Sequence, residues 1–226
     1  MASALARSIA DRLRSQPYLD TATLHRLRRG FSKELAKEGG AAVLDVARRL
    51  HASGAPGSRM TAYGILGNHR EALEQLDAAE LERFGAGLGS WGDVDMFGCL
   101  LAGRAWRDGA IRDKTIHRWA RSDDRWWRRL ALVCTVPLNV KSQGGRGDPE
   151  RTLAVCSLLV SDKDDTVVKA MSWALRELAT HDPKIVAKFV AAHEDELAAR
   201  VKREVRNKLE TGLKNPAAST RAQRRK

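Results

Sequence analysis

The sequence predicts an all-α chain of stacked helix pairs. Three observations carry this. Apolar residues recur at i, i+3 and i+4 almost everywhere, period-two alternation never persists, and breakers or capping residues interrupt the pattern about every 10–20 residues.

The elements follow in order. Leu5, Ile9 and Leu13 make one apolar stripe over 4–15, and Leu24, Leu27, Phe31 and Leu35 share a face over 21–38, which Gly39-Gly40 is expected to end. Val43, Val46, Ala47 and Leu50 repeat the pattern over 41–52, before the breaker-rich loop SGAPGS at 53–58. Further helices are expected at 67–76, 78–88, 91–106, 109–121, 123–136, 149–160, 164–180, 183–191 and 193–212. Ser122-Asp123-Asp124 offers short oxygen side chains to the orphan N–H groups of a first turn. Asp148-Pro149 and Asp182-Pro183 each offer a cap followed by a proline pre-set for the helix. Between them, Gln143-Gly144-Gly145-Arg146-Gly147 reads as the most flexible loop. One domain is expected over 1–213, followed by a disordered basic tail, KNPAASTRAQRRK, over 214–226.

A shift of 41 residues aligns Asp124, Trp126, Trp127 and Arg128 with Asp165, Val167, Val168 and Lys169. A period of about 40–47 residues is that of HEAT and armadillo repeats. Stacking of such pairs makes an α-α superhelix, a solenoid with a concave surface.

Composition says what that surface meets. Forty Lys and Arg face 28 Asp and Glu, a net charge of +12, and only four of the positive charges sit in RAQRRK at 221–226. The body stays basic, so a basic concave face and a polyanionic partner are expected, nucleic acid foremost. Cys99, Cys134 and Cys156 lie singly in apolar stretches, and the six His are scattered, so no metal or cofactor is expected. The start, MASALARSIADRLRS, lacks the uninterrupted apolar core of a secretory signal, and no stretch suits a membrane span. A cytoplasmic protein, nucleoid-associated when bound to DNA, is expected. A one-sided groove needs no second chain, so a monomer is expected.

Four segments carry candidate chemistry. In Ser90-Trp91-Gly92-Asp93-Val94-Asp95, Trp91 and Asp95 stand at i and i+4, putting a carboxylate and an indole on one helix face. That pair suits a cation, and equally describes a core Trp with a solvated acid at a helix start. In Arg125-Trp126-Trp127-Arg128-Arg129-Leu130-Ala131, Arg129 stands at i+3 from Trp126, a phosphate clamp with a stacking brace or a core Trp with snorkelling arginines. Trp173 and Arg176 repeat the Trp–Arg spacing about one repeat later, where equivalent positions would line one surface. Tyr63-Gly64-Ile65 followed by Arg70 says only turn, then helix. Trp106 and Trp119 read as core.

Taken together, Tyr63-Gly64-Ile65 with Arg70, Trp91 through Asp95, Trp126 through Ala131 and Trp173 through Glu177 resemble the DNA alkylation repair family, the HEAT-like glycosylases of the AlkD type, over about 20–212. The resemblance implies a superhelix holding double-stranded DNA with alkylated bases, and excision of positively charged 3- or 7-alkylated purines without full base flipping. It implies Asp95 as the catalytic carboxylate, Trp91 and Trp173 as aromatic walls, and Arg129 and Arg176 as DNA contacts, with Arg128 the alternative to Arg129. The chain departs from the family at Ser90, where a second Trp is common, and at Gly92, which replaces an acid and is expected to loosen the start of that helix. The alternative is a HEAT-like module binding DNA or a protein through the same groove without chemistry. The retained acid favours the enzyme, because a carboxylate facing a polyanion costs binding energy unless it does chemistry.

Overall fold

The computed structural model describes residues 2–217, and every regular element among them is helical. The described residues divide into two compact units at Ile111/Arg112.

The first unit opens with α1 (Ala2–Arg14), α2 (Thr21–Leu35) and α3 (Gly40–Ala52). Each buries most of the stripe its period predicts: Ile9 and Leu13, with Leu5 half-buried; Leu24, Phe31 and Leu35, with Leu27 half-buried; and Val43, Val46, Ala47 and Leu50. Gly39-Gly40 does not end α2, which stops at Leu35; Gly39 caps α3 and Gly40 begins it. The glycine is needed there because a Cβ on Gly40 would lie 2.7 Å from the Glu71 backbone. Next come α4 (Ser58–Gly67), α5 (Arg70–Leu73), α6 (Ala78–Gly85) and α7 (Trp91–Phe97). The helix expected over 91–106 is not uniform. After Phe97 it widens into a π-helical turn, Gly98–Ala102, and resumes as α8 (Gly103–Arg107). At that turn Leu100 approaches Gly67 of α4 so closely that a Cβ there would lie 3.0 Å from its own. α4 packs against α2, α3 and α7, so it is the spine of this unit.

The second unit contains α9 (Asp113–Ala120), α10 (Arg125–Val133), α11 (Val136–Asn139), a 3₁₀ turn (Lys141–Gln143), α12 (Pro149–Leu158), α13 (Asp165–Leu178), α14 (Pro183–Ala192) and α15 (Ala199–Thr211). Asp124, Asp148, Asp164 and Asp182 each cap a first turn through the side chain, three of them at the expected positions. α13 packs against α10 and α15 and is the spine here. The glycine loop after the 3₁₀ turn is pinned rather than free. The amides of Arg146 and Gly147 donate to the Leu138 carbonyl, each at 3.1 Å, and the Asp148 amide to the Asn139 side chain at 3.0 Å. Gly145 is required, since a Cβ would lie 2.7 Å from Leu138 and Asn139 backbone atoms. Of the tail expected over 214–226, residues 218–226 lie outside the described residues.

The repeat read at a 41-residue shift is one residue out of step. Asp124 caps α10, but its counterpart is Asp164, because Asp165 is already helical. Counted from those caps, Trp126 lies in the first turn and Trp173 in the third, so the two Trp–Arg pairs are not equivalent positions of one repeat.

Candidate functional site

In the first unit the candidate residues gather on α7. Ser90 fixes where this helix begins: its Oγ accepts from the Asp93 amide at 3.2 Å and donates to the Asp93 carboxylate at 2.9 Å. Such a cap typically contributes about 1 kcal/mol. At Gly92 the Met60 thioether methyl of α4 lies 3.4 Å from where a Cβ would sit.

Three stripes run along α7. Val94 and Phe97 are fully buried and fasten it to the core. Gly92 and Met96 face α4 and α2. Trp91 and Asp95 form the third, Asp95 half-buried and the Trp91 side chain 44% exposed, the only exposed Trp among the described residues. The indole and the carboxylate, one turn apart, share this face of α7.

Below this helix lies Tyr63 of α4, fully buried. Its hydroxyl donates to the Phe84 carbonyl at 2.8 Å, and its ring lies 5.2 Å from Phe97. Burial pushes its phenol well above the usual range, so it remains a donor. Tyr63 therefore supports α7 from behind, and Arg70, exposed and paired to Glu74 at 2.8 Å, lies on the surface. The next residue, Gly64, has a different use. The Arg28 side chain crosses it, with Cδ 3.0 Å from where a Cβ would be, and Arg28 Nη1 donates to the Met96 sulfur at 2.9 Å. Nothing in the spacing of the sequence singles out Arg28; only the missing Cβ at Gly64 hints that a neighbour must come close.

In the second unit, α10 and α13 carry the rest. Arg125, not Arg129, lies over the Trp126 ring, 5.3 Å from its centroid. Trp127 packs on buried Trp119 at 5.2 Å. Arg128 pairs with Asp162 at 2.7 Å and donates to the carbonyls of Ser122 and Asp123. Arg129 is only 4% exposed and donates to the Thr166 carbonyl, in the first turn of α13, at 2.6 Å. On α13 itself, half-buried Trp173 donates to Glu177 at 3.0 Å. Arg176 donates through Nε to Ser172 Oγ at 3.2 Å, and Ser172 Oγ donates to Glu204 at 2.7 Å. Burial lowers the Arg176 pKa, against the opposing pull of the Glu204 and Glu177 charges. No hydrogen-bond partner for its Nη nitrogens occurs among the described residues.

Charge is divided unevenly between the units. Residues 1–111 hold 15 Lys and Arg against 13 Asp and Glu, a net +2, and residues 112–226 hold 25 against 15, a net +10. Among the described residues, no three His, Cys, Asp or Glu side chains are gathered to hold a metal ion, and no helix is long and apolar enough to cross a membrane. Trp91 and Asp95 belong to the first unit, and Arg128, Arg129, Trp173 and Arg176 to the second.

Compared with known families, residues 19–209 match the family described as DNA alkylation repair enzyme. No curated protein matches the chain.

Proposed function

Because the chain belongs to the DNA alkylation repair enzyme family, we propose that it hydrolyses the N-glycosidic bond of cationic 3- or 7-alkylated purines in duplex DNA. The observation that carries this reading is the solvent-facing Trp91 indole one helical turn from Asp95 on a firmly capped α7.

The chemistry asks little more of the protein. An alkylated purine already bears a positive charge, so the bonding pair that leaves with it makes a neutral base and no general acid is required. Positive charge moves to the sugar, as in glycoside cleavage. The Asp95 carboxylate stabilises that charge and orients the water that adds to C1′, taking its proton or passing it to solvent. Trp91 covers the flat cationic base. In the second unit, Trp173 and Arg176 contact the DNA strand. Arg128 ties the turn before α10 to Asp162, and Arg129 ties α10 to the first turn of α13.

Release of 7-methylguanine from methylated duplex DNA tests the reading. The protein should release it, and Asp95→Asn should lose at least about a hundredfold in rate, the scale for deleting one preorganised electrostatic stabiliser. Unchanged release by Asp95→Asn removes this carboxylate from the chemistry, and a wild-type chain that binds duplex but releases nothing is a DNA-binding module.

A further inference from the structure

Arg28 is a feature of the first unit that the proposed mechanism leaves unused. The chain builds a seat for it from three helices: α2 supplies the side chain, Gly64 of α4 clears its path, and Met96 of α7 receives Nη1 at 2.9 Å. The seat is an expensive one. A guanidinium has five N–H donors, and a thioether sulfur is a weak acceptor for one of them. No carboxylate or carbonyl among the described residues takes the others. Burial alone lowers the Arg28 pKa, with no neighbouring acid opposing it.

Other arginines of this unit that reach across it each meet an oxygen acceptor. Arg12 meets Glu34, Arg48 meets Glu80, Arg59 meets the Ala86 carbonyl and Arg104 the Gly67 carbonyl. A half-buried charge without an anion is costly in a folded protein, unless an anion arrives from outside. Met96 follows Asp95 directly, so the seat borders the Trp91–Asp95 stripe at an angle of about 100° around α7. The surrounding unit is close to neutral, at net +2, so the Arg28 guanidinium is a local feature and not part of a general basic coat.

We infer that Arg28 is a phosphodiester subsite, holding the DNA backbone phosphate beside the nucleotide that Asp95 acts on. A guanidinium matches the paired oxygens of a phosphodiester, and such a contact sets the register of the strand against the acid. The position of that phosphate relative to the lesion rests on the proposed glycosylase reading; the contact itself does not.

The test is binding by the full chain to a duplex carrying one tetrahydrofuran abasic site, with single methylphosphonates replacing each flanking phosphate in turn. Arg28→Ala should weaken binding at least about tenfold, the effect of losing a hydrogen-bonded charge pair. One methylphosphonate position should cost the wild type the same factor and cost Arg28→Ala nothing further. The Tm of Arg28→Ala should be unchanged or higher, because the variant removes a desolvated charge that has no anion. Unchanged affinity, equal losses for both proteins at every methylphosphonate position, or a lowered Tm overturns the inference and makes Arg28 a packing residue. A wild type that fails to bind the duplex overturns it together with the proposed function. Base release is measured separately. A chain that shows the matched loss but releases no 7-methylguanine keeps the phosphate contact and loses the glycosylase reading.

Discussion

Two donors share the Phe84 carbonyl: the Tyr63 hydroxyl at 2.8 Å and His51 Nε2 at 3.0 Å. Burial first, and the Arg59 charge second, hold the His51 pKa below its ordinary value, so the ring is neutral at neutral pH and donates through Nε2. This doubling decides what Tyr63 is worth. In Tyr63→Phe the carbonyl keeps one donor, so no buried acceptor is orphaned, and the loss should be about 1 kcal/mol, the net value of one hydrogen bond. Urea denaturation measures it, and base release should be retained because the hydroxyl bonds to the Phe84 carbonyl of α6 and not to the Trp91–Asp95 face. A loss above about 3 kcal/mol, the scale of an unsatisfied buried group, means His51 does not substitute. Spacing alone marked Tyr63-Gly64-Ile65 as a turn before a helix, whereas all three lie within α4 (Ser58–Gly67), and the Phe84 carbonyl 21 residues away leaves no trace in sequence pattern. Trp91 and Asp95 were legible because their relation is local, one turn of one helix. The burial of Arg129 was not, because an arginine at i+3 from a Trp looks the same whether it faces a phosphate or the Thr166 carbonyl of another helix.

Helix starts were the most readable elements, because a cap is chemistry within four residues. Asp164 shows how much one start carries. Its carboxylate accepts from the Thr166 hydroxyl at 2.5 Å and amide at 2.8 Å and from the Val167 amide at 3.4 Å, with Arg125 3.7 Å away. Burial pushes its pKa up, but these bonds and the Arg125 charge outweigh it and hold the pKa below the ordinary 3.8. A depressed folded-state pKa contributes stability that is complete above 3.8 and disappears as the pH falls through the lower value. Asp164→Ala should therefore cost about 1–2 kcal/mol at pH 7. That deficit should shrink only in acid, below the unfolded-state value. Urea midpoints of the two proteins at stepped pH test this, and a deficit constant into acid would show a packing effect instead. Interiors were harder to read than starts. The π-helical turn at Gly98–Ala102 interrupts an apolar period that continues unbroken through it, and what accompanies it, the approach of Leu100 to Gly67, is tertiary.

For the whole molecule, a net charge of +12 reads as one basic protein, but the units share it as +2 and +10. The division has a physical use. On the proposed reading Asp95 acts within the unit of net +2, and the unit of net +10 should supply most of the attraction for the backbone. Affinity for undamaged duplex should then fall steeply with salt, since each neutralised phosphate releases counterions. The residues that set the slope should lie mainly after Ile111. Arg176, whose Nη nitrogens have no hydrogen-bond partner among the described residues, should contribute one phosphate contact. Arg176→Ala should flatten the plot of log affinity against log salt by about one unit. Paired charge-neutral substitutions at exposed basic residues of the first unit, such as Arg70 and Arg83, should leave the slope within error, because each is already matched by Glu74 or Glu80. A slope that responds equally to both sets would spread the DNA contacts evenly over the chain, and a flat plot for the wild type would point to a protein partner in place of DNA.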